Sequence, residues 1–100
     1  MKYSLFVNEY EEENSDLLLT QEALSLIDRK EPDFVYLYLV ETDDKGGHDH
    51  GWMTPEYMHR VNNAFSCVQQ VYEAVHDHYT IVITADHGGH DRGHGENIPE

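Results

Sequence analysis
The sequence predicts an α/β fold: three layers (α/β/α), with a parallel sheet between helices in the order β-α-β-α-β. Three observations carry this. FVYLYLV (residues 34–40) and TIVITA (residues 80–85) are short apolar runs of strand length. They are too uniform for a sheet with one wet face, and they suit central parallel strands covered on both sides. Two stretches with apolar residues at helical spacing alternate with them. Such alternation makes the strands parallel, with right-handed crossovers.

The elements follow in order. Residues 3–7 (YSLFV) read as a first strand, and the acidic NEYEEENSD after it as a loop. Asn14 or Ser15 suits a helix cap. Residues 16–30 read as a helix, with Leu17, Leu24 and Ile27 near one face and Leu19, Ala23 and Leu26 beside it. Pro32 forbids its continuation. After FVYLYLV comes a glycine-rich polar loop, ETDDKGGHDHGWM. Thr54-Pro55-Glu56 then starts a second helix, with a cap, a proline at the first helical position and an acid in the first turn. Tyr57, Val61, Ala64, Phe65, Val68, Val71, Tyr72 and Val75 keep helical spacing, so the helix should run to about His76 or His78. TIVITA closes the pattern. There is no repeat, linker or low-complexity tract, and 100 residues suit one small domain.

Composition narrows the partners. The formal net charge is −14, from 20 acidic against 6 basic residues. That excludes a nucleic-acid backbone or an anionic membrane as the main partner and suits divalent cations. No run reaches transmembrane length, and the opening MKYSLFVNEYEEEN turns acidic too soon for a secretory leader. The single cysteine, Cys67, makes no internal disulfide. A cytoplasmic location is the expectation.

Each buried strand runs into a loop rich in histidine and glycine. Val40 leads to Asp43, Asp44, His48, Asp49 and His50; Ala85 leads to Asp86, His87, His90 and His94. In an open parallel sheet both loops lie at the carboxyl edge, where ligands bind. Aspartate with histidine is the mixed oxygen and nitrogen set that zinc, manganese or iron favours. Either loop alone is also an ordinary polar turn. Two of them at one edge, each with Asp and His, favour a metal site.

These loops resemble a known family. Asp44-Lys-Gly-Gly47-His48-Asp-His-Gly51 matches D-x-x-G-H-x-x-G. Thr84-Ala-Asp86-His87-Gly88-Gly89, followed by His94-Gly95, matches (S/T)-x-D-H-G-x…H-G. Together they resemble the alkaline phosphatase superfamily, in its branch of type I phosphodiesterases/nucleotide pyrophosphatases and cofactor-independent phosphoglycerate mutases. The resemblance covers about residues 33–100.

It implies two metal ions, zinc or manganese, acting on a small-molecule phosphate ester. Carried over by position, Asp44, His48 and His94 would bind one ion, and Asp86 and His87 the other. Asp43 could replace Asp44, but only Asp44 has the family's spacing to His48. His50 and His90 have no counterpart. Asp49 and Asp91 are solvated, or orient a ligand histidine.

The resemblance also implies a Ser or Thr nucleophile after an earlier strand. Ser4, Ser15, Thr20, Ser25, Thr42 and Thr84 do not stand in that context. The expectation is therefore a partial alkaline phosphatase-like domain across residues 1–100, part of a two-metal phosphoric-ester hydrolase and inactive alone. A non-catalytic metal-binding segment is the alternative. A phosphomutase or a sulfatase of the same superfamily are others, although Cys67 in SCVQQ lacks the Cys-x-Pro-x-Arg context of sulfatases. With strands uncovered, self-association is expected.

Overall fold
The structure, a computed structural model, describes residues 14–95. The predicted first strand, residues 3–7, lies outside them. Helix α1 is Ser15–Lys30 and helix α2 is Pro55–Val75; between them Thr42–His48 forms a π-helical turn. The α2 helix packs on both α1 and the π-turn.

The helix ends obey local chemistry. In α1, Asp16 lies in the first turn and Arg29 and Lys30 in the last, each matching the helix dipole. Asn14 is the N-cap residue, but its side chain makes no capping bond. Glu31 ends the helix in the left-handed region (φ 46°), its N–H donating to the Ile27 carbonyl at 2.9 Å, and Pro32 follows. At the start of α2, Pro55 follows Thr54, whose Oγ1 accepts from the Tyr57 N–H at 3.3 Å.

The predicted parallel sheet is not formed. Among the described residues no strand pairs with another; the one β-bridge joins His90 and Gly93 across a tight turn. FVYLYLV and TIVITA are neither helix nor strand. Tyr79 Oη donates to the Pro32 carbonyl at 2.6 Å and Tyr38 Oη to Asp86 Oδ2 at 2.8 Å, but no backbone ladder links the two segments.

The physical reason is cover. Runs that are apolar on both faces need packing on both faces, and a lone pair of strands is marginal in water. Here Tyr36 is 77% and Val82 82% exposed, and Phe34 and Ile83 are also open. The described part of the protein is therefore mainly helical, and the α/β/α expectation is corrected. Among the described residues no helix is long and apolar enough to cross a membrane.

What is buried is unusually polar. Ala23, Cys67 and Val75 form the apolar core, while Ser15, Asp16, Thr20 and Glu41 are buried beside it. Asp16 Oδ1 accepts the N–H groups of Val40 (2.9 Å) and Glu41 (3.2 Å). In return Glu41 Oε1 accepts from the Asp16 N–H (3.2 Å) and the Ser15 hydroxyl (3.3 Å). Each carboxylate thus serves the other helix's start, where N–H groups lack partners in their own helix. Arg60 on α2 completes the join, 3.4 Å from Glu41 Oε2.

Candidate metal centre
The π-turn begins beside Glu41, so this buried junction sets where the first polar loop emerges. A π-turn bonds residue i to i+5 rather than i+4. Residues five apart then share a face. That brings Asp43 alongside His48. Gly46 and Gly47 are buried within the turn, and Gly46 admits α2: a Cβ there would lie 3.3 Å from the Tyr57 Cα and the Arg60 Cβ.

Asp43 is the hub. Its Oδ1 lies 3.4 Å from His48 Nε2, 3.4 Å from His94 Nε2 and 3.6 Å from His87 Nε2. One carboxylate oxygen from the first loop therefore faces imidazoles from both loops. The ligating atoms of Asp43, His48 and His94 all lie within 4.8 Å of one another. The rings are close too: His87 stacks on His94 at 3.7 Å between centroids, and His48 lies 5.0 Å from His94.

Backbone carbonyls orient two of these rings. His48 Nδ1 is 2.7 Å from the Arg92 carbonyl, and His87 Nδ1 is 2.6 Å from that of Gly88. A carbonyl only accepts, so Nδ1 carries the hydrogen and donates. In the neutral ring this leaves the lone pair on Nε2, the nitrogen near Asp43 Oδ1, which is the tautomer that a metal-binding histidine needs.

Asp86 stands at the edge of the group. Its Oδ1 is 3.5 Å from His87 Nε2, and its Oδ2 accepts from Tyr38. That hydrogen bond holds the Asp86 carboxyl below the usual carboxylate range and pushes the Tyr38 hydroxyl up. Asp44 is exposed, and its side chain makes none of the cluster's contacts. His90 also lies apart, with Nε2 3.1 Å from Asp91 Oδ2 and both side chains exposed. His50 and Asp49 are exposed outside the cluster. So the structure gathers His48, His87 and His94 around Asp43, sets Asp86 beside His87, and leaves Asp44 out.

A profile of the type I phosphodiesterase / nucleotide pyrophosphatase family matches residues 3–96. The chain belongs to that family. No curated protein and no solved structure matches the chain. The match supports the hydrolase class and the resemblance of the two loops.

The residues of this type I phosphodiesterase member fit a divalent cation. Asp43 Oδ1 is buried with no hydrogen-bond partner. The imidazoles around it are near enough for ion pairs if protonated, but none meets it in hydrogen-bonding geometry. Bonds of about 2.0–2.2 Å from zinc to oxygen and nitrogen place two tetrahedral ligand atoms about 3.4 Å apart. The 3.4 Å separations from Asp43 to His48 and His94 match that spacing.

The sequence offered Asp43 only as a replacement for Asp44; the π-turn's register sets it beside His48, five residues on. Trp52 lies edge-on to His48, with centroids 5.0 Å apart, and carried no motif at all.

Proposed function
We propose that these residues form the metal-binding part of a phosphoric-ester hydrolase that uses two divalent cations, with zinc or manganese the best match. One ion is held by Asp43, His48 and His94, with Asp43 taking the place that motif spacing gave to Asp44. Asp86 and His87 offer ligands to the second. The observation that carries this reading is the buried, unpartnered Asp43 Oδ1, faced by histidine Nε2 atoms from both loops.

Ions held there would supply Lewis acidity to phosphoryl oxygens and lower the pKa of an attacking hydroxyl or water. The chain's own residues do the rest. The Arg92 and Gly88 carbonyls hold the rings in their ligating tautomer. Asp43 and Asp86 offset cationic charge, and Tyr38 keeps Asp86 ionised and oriented. The substrate class is a small-molecule phosphate ester. The Ser or Thr nucleophile of such chemistry has no matching context in this sequence. Metal binding is therefore proposed for these residues, and hydrolysis for the site once such a hydroxyl joins it.

The test is zinc and manganese binding, followed by hydrolysis of a chromogenic phosphomonoester and phosphodiester with chelator controls. Binding without hydrolysis supports a metal site that lacks its nucleophile. No binding of either ion sinks the reading.

A further inference from the structure
Trp52 occupies an unusual place between the two polar loops. A Cβ built on Gly47 would lie 2.5 Å from Trp52 Cε2 and Cζ2, and one built on Gly89 would meet Cε2, Nε1 and Cδ2 closer still. Neither approach leaves room for a methyl group. The indole therefore lies against the backbone of the first loop at Gly47, next to His48, and of the second at Gly89, two residues past His87. It stands edge-on to both a first-loop and a second-loop histidine, at 5.0 Å from His48 and 5.9 Å from His94. The Trp52 backbone N–H donates to the Asp91 carbonyl at 2.6 Å, tying residue 52 to the second loop through the main chain as well.

We propose that Trp52 is a positioning residue that clamps the two loops together at ligand spacing, and that Gly47 and Gly89 are glycine so that the indole can reach both. The inference rests on the metal-centre reading above. Without a paired ladder between FVYLYLV and TIVITA, the loops are not aligned by a sheet, and the wedged indole supplies that alignment. Gly47 and Gly89 do not need a left-handed backbone here, so a methyl group at either tests space rather than φ.

The experiment is a double-mutant cycle on zinc affinity, with wild type, Gly89→Ala, Trp52→Leu and the double variant, each checked for folding by far-UV circular dichroism. Gly89→Ala should weaken zinc binding about tenfold or more, the range seen when support of a ligand histidine is lost. In the Trp52→Leu background the same change should cost less than about twofold, because the clashing ring is gone. Trp52 is the single tryptophan, so its emission should change with zinc and saturate where the calorimetric titration does.

Equal loss from Gly89→Ala in both backgrounds, or wild-type affinity in Gly89→Ala, overturns the clamp while leaving the metal centre standing. Zinc uptake by no variant, wild type included, overturns the metal centre and the clamp with it. If Gly89→Ala does not fold but the double variant folds and binds, the coupling is shown in stronger form. If neither folds, Gly47→Ala decides: a tenfold loss supports the clamp and wild-type affinity overturns it.

Discussion

Asp16 and Glu41 cap one another's helices. Asp16, in the first turn of α1, accepts the N–H groups that open the polar loop's helical turn, and Glu41 accepts the Asp16 N–H in return. Two carboxylates are thereby buried side by side, with Arg60 on one of them. The arrangement is local chemistry put to long-range use. It fixes the start of the π-turn, and so the direction in which Asp43 leaves it.

This junction has a pH signature. Burial, more than the nearby Glu41 charge, raises the Asp16 pKa above its ordinary value, against the pull of its two backbone hydrogen bonds. The folded state then holds the proton at a higher pH than the unfolded state does. Stability from this group is fully present below the unfolded value of about 4 and is lost as pH rises through the raised folded value. Asp16→Asn keeps the Oδ1 acceptor and removes the charge. Its melting temperature should exceed that of wild type at neutral pH, and the gap should close below about pH 4. Parallel melting profiles across that range would show that Asp16 is not the titrating group. Asp16→Ala should instead destabilise by about 1–3 kcal/mol, since it leaves one buried and one half-buried N–H unpaired.

The α2 cap is a simpler case. Thr54 Oγ1 accepts from the Tyr57 N–H, and its hydroxyl donates to the Gly51 carbonyl at 2.7 Å. Thr54→Ala loses both and should cost about 1 kcal/mol, read as a lower urea midpoint with unchanged slope. An unchanged midpoint would mean that the cap contributes nothing measurable.

Tyr38 tests the proposed second pair of ligands, Asp86 and His87. Its hydroxyl is 2.8 Å from Asp86 Oδ2. Tyr38→Phe should weaken one of two metal-binding events about tenfold and spare the other. If both events, or neither, respond in calorimetry, Tyr38 does not act through Asp86.

Phe34, Tyr36, Val82 and Ile83 leave large apolar side chains exposed in FVYLYLV and TIVITA. Surface of that kind drives association. Light scattering should give a mass above that of one chain, reduced by Tyr36→Lys with Val82→Lys. A monomer at all concentrations would show that the net charge of −14 outweighs these exposed side chains.

Much of the helical structure was legible because helices are written locally. The cap at Thr54, the stop at Pro32 and the apolar spacing from Tyr57 to Val75 concern residues a few positions apart. The sheet was misread for the opposite reason. FVYLYLV and TIVITA have strand composition, but strands apolar on both faces pair stably only where neighbouring elements cover both, and composition does not report cover. The two histidine loops were visible by residue type, and they do meet. Asp44 has the family's spacing to His48, and that spacing does not report the π-turn, which sets Asp43 beside His48. Trp52 was silent because its role exists only once Gly47 and Gly89 approach the same ring.

On the proposed reading, Asp43 organises a metal centre with His48 and His94. The direct measurement is the zinc affinity of Asp43→Asn beside Asp44→Asn, by competition with a chromogenic chelator and with folding checked by circular dichroism. Asp43→Asn should lose affinity at least about a hundredfold, since a charged ligand becomes a neutral one, and Asp44→Asn should stay within about threefold of wild type. Tight binding in Asp43→Asn, with the loss in Asp44→Asn instead, would contradict the account.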